Sequence, residues 1–468
     1  MPGPEPSCTD RPASSSTCLQ PIEATVFRAL DCQLDTSGRT PIAIAVSGGS
    51  DSLALLHLAQ RWGAARNRPV IAATVDHGLR PEAAQEAEQV AQTCVSLGVP
   101  HTTLLWHAPE NRSSNQSLAR AGRHRLICEW AKRNGAFHIL LGHTQDDALE
   151  TFLIRARGGS GWFGLAGLAA CSPSPAWPEG RKIELVRPLL VLRRQTIQDW
   201  LSANGHAWVN DPSNSMMKYE RVRMRAVISK LDDPDRARFL RIINRMSILR
   251  QAEISAIRTR LHNEISVHDD GSITADRASF LTHSAQANSR LIGWLAMCAG
   301  GAPTAPRHAT ADRLEADIRT RSSGATTLGD AWCVWNAQTL SIYRRPPGES
   351  RTPGAPSRCD VSLAPGEHLI WDGRFELCLA PTSEGGQIIT LDDALAQNLH
   401  VEGLNTLKPV SSSPARRSLP VLRMGSDIVI APGFDASPPF VAKSLASERL
   451  FALVNEVAHT EIEWNSQN

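Results

Sequence analysis

Long apolar runs are missing from this chain. Nothing in its 468 residues approaches the roughly 20 consecutive apolar positions that a membrane-spanning helix needs, so a soluble globular protein is expected. Paired cysteines are missing too. The ten cysteines are scattered and no two form a C-x-x-C, which argues against a zinc site, an iron–sulfur site and a disulfide framework. Residues 1–20 lack the basic-then-apolar plan of a secretory signal and are rich in Pro, Ser and Thr, so a disordered leader of a cytoplasmic protein is expected. There is no internal repeat, and the formal charge of +2 gives no whole-chain basicity that would announce nucleic acid. What remains, 42% hydrophobic and 21% charged residues, suffices for about three domains with cores of their own.

The remainder of the chain is organised around residues 42–56, I-A-I-A-V-S-G-G-S-D-S-L-A-L-L. An uncharged β-type run ending in small residues reads as a buried parallel strand that feeds a tight turn and then a helix. Ser50 or Asp51 is placed to cap that helix, which buries Leu53, Leu55 and Leu56. Such a turn binds phosphate: Gly48 and Gly49 allow close approach, and the N–H groups at the helix start meet an anion with the favourable end of the dipole. Ser47, Ser50 and Ser52 add hydroxyl donors, and Asp51 could hold a magnesium ion beside the phosphates. The G-x-x-x-x-G-K-[ST] spacing and its lysine are absent, so this is not the usual P-loop.

Further strands are expected at 70–75, 101–106 and 137–141, alternating with helices at 81–97 and 115–134. That alternation predicts an α/β fold, a doubly wound parallel sheet with right-handed crossovers. Ligands bind beyond the carboxyl ends of such strands. S-G-G-S-D-S, D-H-G-L-R (76–80) and G-H-T-Q-D-D (142–147) each follow a predicted strand and should converge on one crevice. The glycine-dense segment 157–167 is expected to be a mobile loop over it. The nucleotide-binding domain is placed at 21–215 and a basic helical domain at 216–330; residues 218–260 hold 12 Lys/Arg against 5 Asp/Glu. A small α+β module follows at 331–468, with a linker near 345–356.

His143, Asp146, Asp147 and Glu150 form a second chemical cluster. On a helix Asp147 and Glu150 share a face, so the pair could hold magnesium or clasp an ammonium group, or the acids could simply suit the dipole of a helix N-terminus. With one histidine nearby and no cysteine it makes a poor zinc site. Arg120 and Arg123, three apart on one helix, could meet phosphates or form a solvated face.

S-G-G-S-D-S resembles the S-G-G-x-D-S signature of the PP-loop ATP pyrophosphatase superfamily, whose members cleave ATP between the α and β phosphates and adenylate an oxygen. H-T-Q-D-D-A-L-E-T (143–151), the glycines after it, R-P-L-L (187–190), D-P-S-N (211–214) and the basic helix are similar to the bacterial tRNA(Ile)-lysidine synthetase family. The likeness is strong over 42–228 and looser in the carboxy-terminal third, at L-P-V-L-R (419–423) and Ala431-Pro432. The resemblance implies attachment of free L-lysine to C2 of the wobble cytidine in the CAU anticodon of tRNA(Ile), which changes codon reading from AUG to AUA and charging from methionine to isoleucine. By position it implies ATP on Ser47, Gly48, Gly49, Ser50, Asp51 and Ser52, Mg2+ on Asp51, and lysine at Asp147 and Glu150. Asp76 and His77, read from their place at a strand end, could contact the adenosine, or His77 could be a satisfied loop histidine; His143 would join the substrate site, and Arg120 and Arg225 fall at arginines of family strings. Gln116, His124 and Val222 replace the Glu, Tyr and Asn of those strings. Family members are often dimers; the sequence carries no interface signature. A PP-loop tRNA thiolase, which usually carries paired cysteines, and a tRNA-binding protein without chemistry are the rival readings.

Overall fold

The computed structural model describes residues 21–76, 81–106, 116–209, 220–345, 361–402, 413–425, 428–432 and 439–455. The proposed leader, the proposed linker near 345–356 apart from Arg345, His77 and the D-P-S-N string lie outside the described residues.

The first unit contains α1 (Pro21–Gln33), β1 (Ile42–Ala45), α2 (Ser50–Arg66), β2 (Val70–Asp76), α3 (Pro81–Ser96), β3 (His101–Leu105), α4 (Gln116–Arg133), β4 (His138–Leu140), α5 (Gln145–Arg157), α6 (Trp162–Leu165), β5 (Cys171–Pro173), β6 (Glu184–Val186) and α7 (Arg194–Ala203). Its sheet runs β3-β2-β1-β4-β6-β5. The first five strands in that order are parallel, and β5 is an antiparallel edge strand on β6. The period of two sorts β1 between two cores: Ile42 and Ile44 pack with α1, α2 and α7, while Ala43 packs with Ile127, Cys128 and Ala131 of α4. Both faces are covered, which is why this strand carries no polar residue. The short β5 and β6 were not anticipated, since three-residue strands carry almost no periodicity.

The second unit holds α8 (Glu220–Ile228), α9 (Asp233–Glu264), β7 (Ile265–Val267), β8 (Ile273–Asp276), α10 (Arg277–Leu281), α11 (Ala285–Gly300), α12 (His308–Thr320), β9 (Gly324–Leu328), β10 (Ala331–Trp335) and β11 (Thr339–Arg344). The 32-residue α9 starts sharply because the Asp232 carboxylate accepts from the Asp235 N–H at 2.8 Å and a proline occupies the first turn. The region expected as a basic helical domain at 216–330 holds strands as well as helices. The sheet order β7-β8-β11-β10-β9 carries strands on both sides of that boundary, with Ile342 of β11 opposite Ile273 of β8. The described residues from 361 onward form two small sheets, β12-β15-β17-β18-β16 and β13-β14-β19, together with three short helices. The strands are β12 (Val361–Leu363), β13 (His368–Trp371), β14 (Phe375–Leu379), β15 (Gly386–Thr390), β16 (Val401–Glu402), β17 (Pro420–Met424), β18 (Ile428–Ile430) and β19 (Phe440–Ser444). The helices are α13 (Leu391–Ala396), α14 (Ser413–Arg416) and α15 (Ala446–Leu453); α15 returns to bury Leu450 in the core of the second unit.

Candidate active site

The turn after β1 has the shape its residues suggest. Gly48 sits at φ +80°, where a side chain would be strained. The Ser52 hydroxyl donates to the Gly49 carbonyl at 3.0 Å and accepts from the Ser47 N–H at 3.1 Å, closing the turn on itself. The helix cap differs from expectation: Gly49, not Ser50 or Asp51, is the N-cap of α2, and among the described residues no side-chain cap satisfies the N–H groups there. Those donors are left for an anion. The neighbouring strand end comes very close. A Cβ on Gly142 would lie 3.0 Å from the Asp51 carbonyl carbon and the Ser52 nitrogen, so only glycine lets the loop after β4 lie against this turn.

That loop opens α5, whose two faces do different things. Leu149 and Phe152 are buried with Ile228 and Ile243 of the second unit, each such burial being worth roughly 1.5–3 kcal/mol. Asp146, Asp147 and Glu150 lie on the other side. Asp147 both caps and serves the crevice: its Oδ2 accepts from the Thr144 N–H and hydroxyl, each at 2.9 Å, and from Arg194 Nη2 at 3.1 Å. Glu150 is fully buried; its Oε1 accepts from Arg225 Nε at 2.8 Å and Arg194 Nη1 at 3.5 Å, while Oε2 is a buried acceptor with no partner among the described residues.

Arg194, on which sequence reasoning placed no role, is the hub. Its Nε donates to Asp51 Oδ2 at 2.8 Å, so one guanidinium joins the carboxylate of the phosphate turn to both acids of α5. Its backbone N–H donates to Asp146 Oδ2 at 2.8 Å, and Asp146 Oδ1 accepts from Arg236 of α9 at 2.9 Å. Asp146 thus holds the start of α7 in place. The second of two adjacent arginines, seven residues after R-P-L-L begins, has no local pattern that sets it apart; the only signal was its place at the start of a helix.

Electrostatics separate the three acids. Burial raises the Asp51 carboxyl above its usual range, and Arg194 does not fully offset it. Burial, then Asp147, raises Glu150. Burial pushes Asp147 the same way, but Arg194, the Thr144 hydrogen bonds and His143 outweigh it and leave Asp147 lowered. Burial would depress Arg194, yet the three carboxylates hold it above its ordinary value. His143 is pushed down to about 4, first by burial, so it is a neutral imidazole beside Asp147.

Of the other expected residues, Arg225 reaches the site through Glu150. Arg120 lies on α4, where partial burial and then the like charges of Arg221, Arg123 and Arg155 lower its pKa. Asp76 ends β2 on the same edge of the sheet, and its carbonyl accepts from the Trp106 N–H at 2.9 Å. The glycine-dense segment is not a free loop. It contains α6, Arg155 donates to the Gly164 carbonyl at 2.6 Å, Arg250 donates to the Gly167 carbonyl at 2.9 Å, and the Arg290 guanidinium lies 3.7 Å from the Phe163 ring centre. Among the described residues no group of three or more His, Cys, Asp or Glu could hold a metal by itself. A magnesium ion is usually held by one or two carboxylates plus substrate phosphates, which Asp51 at the head of the turn fits.

A family model described as a PP-loop domain matches residues 22–231. Curated relatives match more of the chain. A tRNA(Ile)-lysidine synthase of Hyphomonas neptunium is 39% identical over 351 residues, covering 74% of this chain and 92% of that protein. Those of Caulobacter vibrioides and Ruegeria pomeroyi are each 32% identical, over 76% and 84% of this chain and 79% and 88% of theirs. With a parallel sheet, an S-G-G-S-D-S turn and this degree of identity, the chain belongs to the tRNA(Ile)-lysidine synthase family, enzymes built on an ATP-using PP-loop domain.

Proposed function

We propose that this protein is a cytoplasmic ATP-dependent carbon–nitrogen ligase that joins free L-lysine to C2 of the wobble cytidine in the CAU anticodon of tRNA(Ile), releasing AMP and pyrophosphate. The observation that carries this reading is the convergence of Asp51, Asp147 and Glu150, from two different strand ends, on one cationic group beside a phosphate-binding turn. Water alone does not let an amine displace the cytidine carbonyl oxygen, because that oxygen is a poor leaving group. Adenylation solves this. Cytidine O2 attacks the α-phosphorus of ATP, pyrophosphate departs, and the new O2–AMP bond makes O2 part of a good leaving group. The lysine ε-amine then attacks C2, gives up a proton, and AMP leaves with O2.

The chain's residues divide the work. The uncapped start of α2 with Gly48, Gly49, Ser47, Ser50 and Ser52 cradles the phosphates. Asp51 would hold magnesium, which supplies neutralisation of the charge that builds on the phosphates. Asp147 and Glu150 receive the lysine ammonium; Glu150, with its raised pKa and unpartnered Oε2, is the better acceptor for the proton lost during attack. The wobble base must leave its stack to reach the crevice, which costs a few kcal/mol and least in a loop. The basic residues of α8 and α9 and the carboxy-terminal sheets are the tRNA grips, with contacts that weaken as salt rises. Incubation with ATP, magnesium, labelled lysine and unmodified CAU-anticodon tRNA(Ile) should fix label in the tRNA, and Asp51→Ala or Asp147→Ala should abolish it. Pyrophosphate release without lysine fixed would overturn the choice of substrates.

A further inference from the structure

Arg194 occupies the oxygens that the reaction needs. Its guanidinium takes Asp51 Oδ2, Asp147 Oδ2 and Glu150 Oε1, the groups that under the reading above would meet a magnesium ion and a lysine ammonium. Arg225 already shares Glu150 Oε1 with it, so a magnesium ion and an ammonium added beside these two guanidiniums would leave more positive charge than three carboxylates can balance. A cation therefore has to leave before others enter. The arginine's backbone is not the part that moves: its N–H is fixed to Asp146, which Arg236 holds from the other side. The side chain, hung from the first residue of α7, is the part that would have to swing. One turn further on, Gln198 Nε2 already reaches Ser50 Oγ at 3.4 Å, so this end of α7 lies along the phosphate turn. Nucleotide phosphates on that turn would offer the guanidinium a competing acceptor with bidentate geometry.

We propose that Arg194 is an exchangeable internal cation, which holds the carboxylates closed to lysine in the empty enzyme and releases them by moving onto the phosphates of the bound nucleotide. Lysine capture is then conditional on ATP. This ordering rests on the proposed lysine ligase reading and adds to it a specificity role for Arg194. The device keeps other amines and loose cations out of a trio of buried acids when no nucleotide is present. It also makes the coupling reciprocal, since a ligand that lysine requires must bind more tightly when lysine is there.

Equilibrium dialysis of labelled lysine, with and without magnesium and a non-hydrolysable ATP analogue, tests this in the wild-type protein, Arg194→Gln and Arg194→Lys. Wild-type protein should bind lysine at least about tenfold more tightly with the analogue than without it, within the usual range of coupling between two ligands. Arg194→Gln should bind lysine without nucleotide, and the analogue should no longer help. Arg194→Lys, whose single ammonium cannot span three carboxylates, should show a smaller dependence than wild type and serves where the glutamine variant does not fold. Wild-type-like dependence in either folded variant overturns the exchange while leaving the ligase reading intact. Lysine bound by no protein under any condition overturns that reading and the exchange with it.

Discussion

Replacing Glu150 by glutamine keeps the side chain's shape and removes its charge, at a position where the structure allows the consequence to be sized. Glu150 has no exposed surface, its Oε1 accepts from Arg225 and Arg194, and its Oε2 has no partner among the described residues. An acceptor buried without a donor is costly, and an incoming ammonium would satisfy it. A hydrogen bond to a charged group contributes about 1.5–3 kcal/mol, so the KM for lysine should rise about 10- to 150-fold in Glu150→Gln, at 1.4 kcal/mol per factor of ten. The KM for ATP should change little, because Glu150 touches the nucleotide side only through Arg194. The assay is lysine incorporation at saturating ATP and tRNA, with lysine varied, then the converse. A pH series sharpens it. The Glu150 carboxyl is raised by burial and by Asp147, so wild-type lysine affinity should be full above that raised pKa and fall as pH drops through it, and the glutamine variant should lose this dependence. A lysine KM within about threefold of wild type, with a tenfold rise in the KM for ATP, would refute the assignment of Glu150 to the amine.

Gly142→Ala places a methyl 3.0 Å from the backbone of Asp51 and Ser52, which cannot yield as a side chain can. A rise of about tenfold in the KM for ATP is expected, with a stability cost of about 1–3 kcal/mol by thermal unfolding, and unchanged values for both would show that the two strand-end loops are not in contact. The Asp146–Arg236 pair, only 15% and 12% exposed, ties the start of α7 to α9. A double-mutant cycle with Asp146→Ala and Arg236→Ala should give a coupling of about 1–3 kcal/mol in urea unfolding, and additivity within about 0.5 kcal/mol would show the two units to be independent there. Burial holds the imidazoles of His57, His124 and His143 down to about 4, against an ordinary 6.5. In that window the unfolded chain takes up protons that the fold refuses, so stability is full above 6.5 and falls on acidification. At about pH 5 the His143 share is up to about 2 kcal/mol, and His143→Gln should flatten the stability–pH curve by that amount.

What the sequence determined by itself is what short-range physics encodes. An uncharged strand run, two glycines and a serine-rich helix start are contiguous, so the phosphate turn, the order of strands and helices around it and the helical spacing of Asp147 and Glu150 were legible. The likeness to one enzyme family carried the family itself, because that information lies in the residues themselves and not in their contacts. Local pattern was too weak for three-residue strands, and a cut at 330 divides one sheet because β8 and β11 pair across 62 residues of intervening helix and strand. The helix cap went to Gly49 because α2 begins one residue earlier than expected, so that Ser50 and Asp51 lie within its first turn. Only the tertiary structure decided that Arg194, 143 positions from Asp51, would lie among three carboxylates, that Arg225 would reach Glu150 across 75 positions, and that Asp146 would hold α7 in place instead of facing a substrate. The physical reason is that a guanidinium opening a helix has no partner written beside it in the chain. Its partners are chosen when two strand ends, the start of α7 and a helix of the second unit are packed into one crevice, where burial makes every unpaired charge expensive.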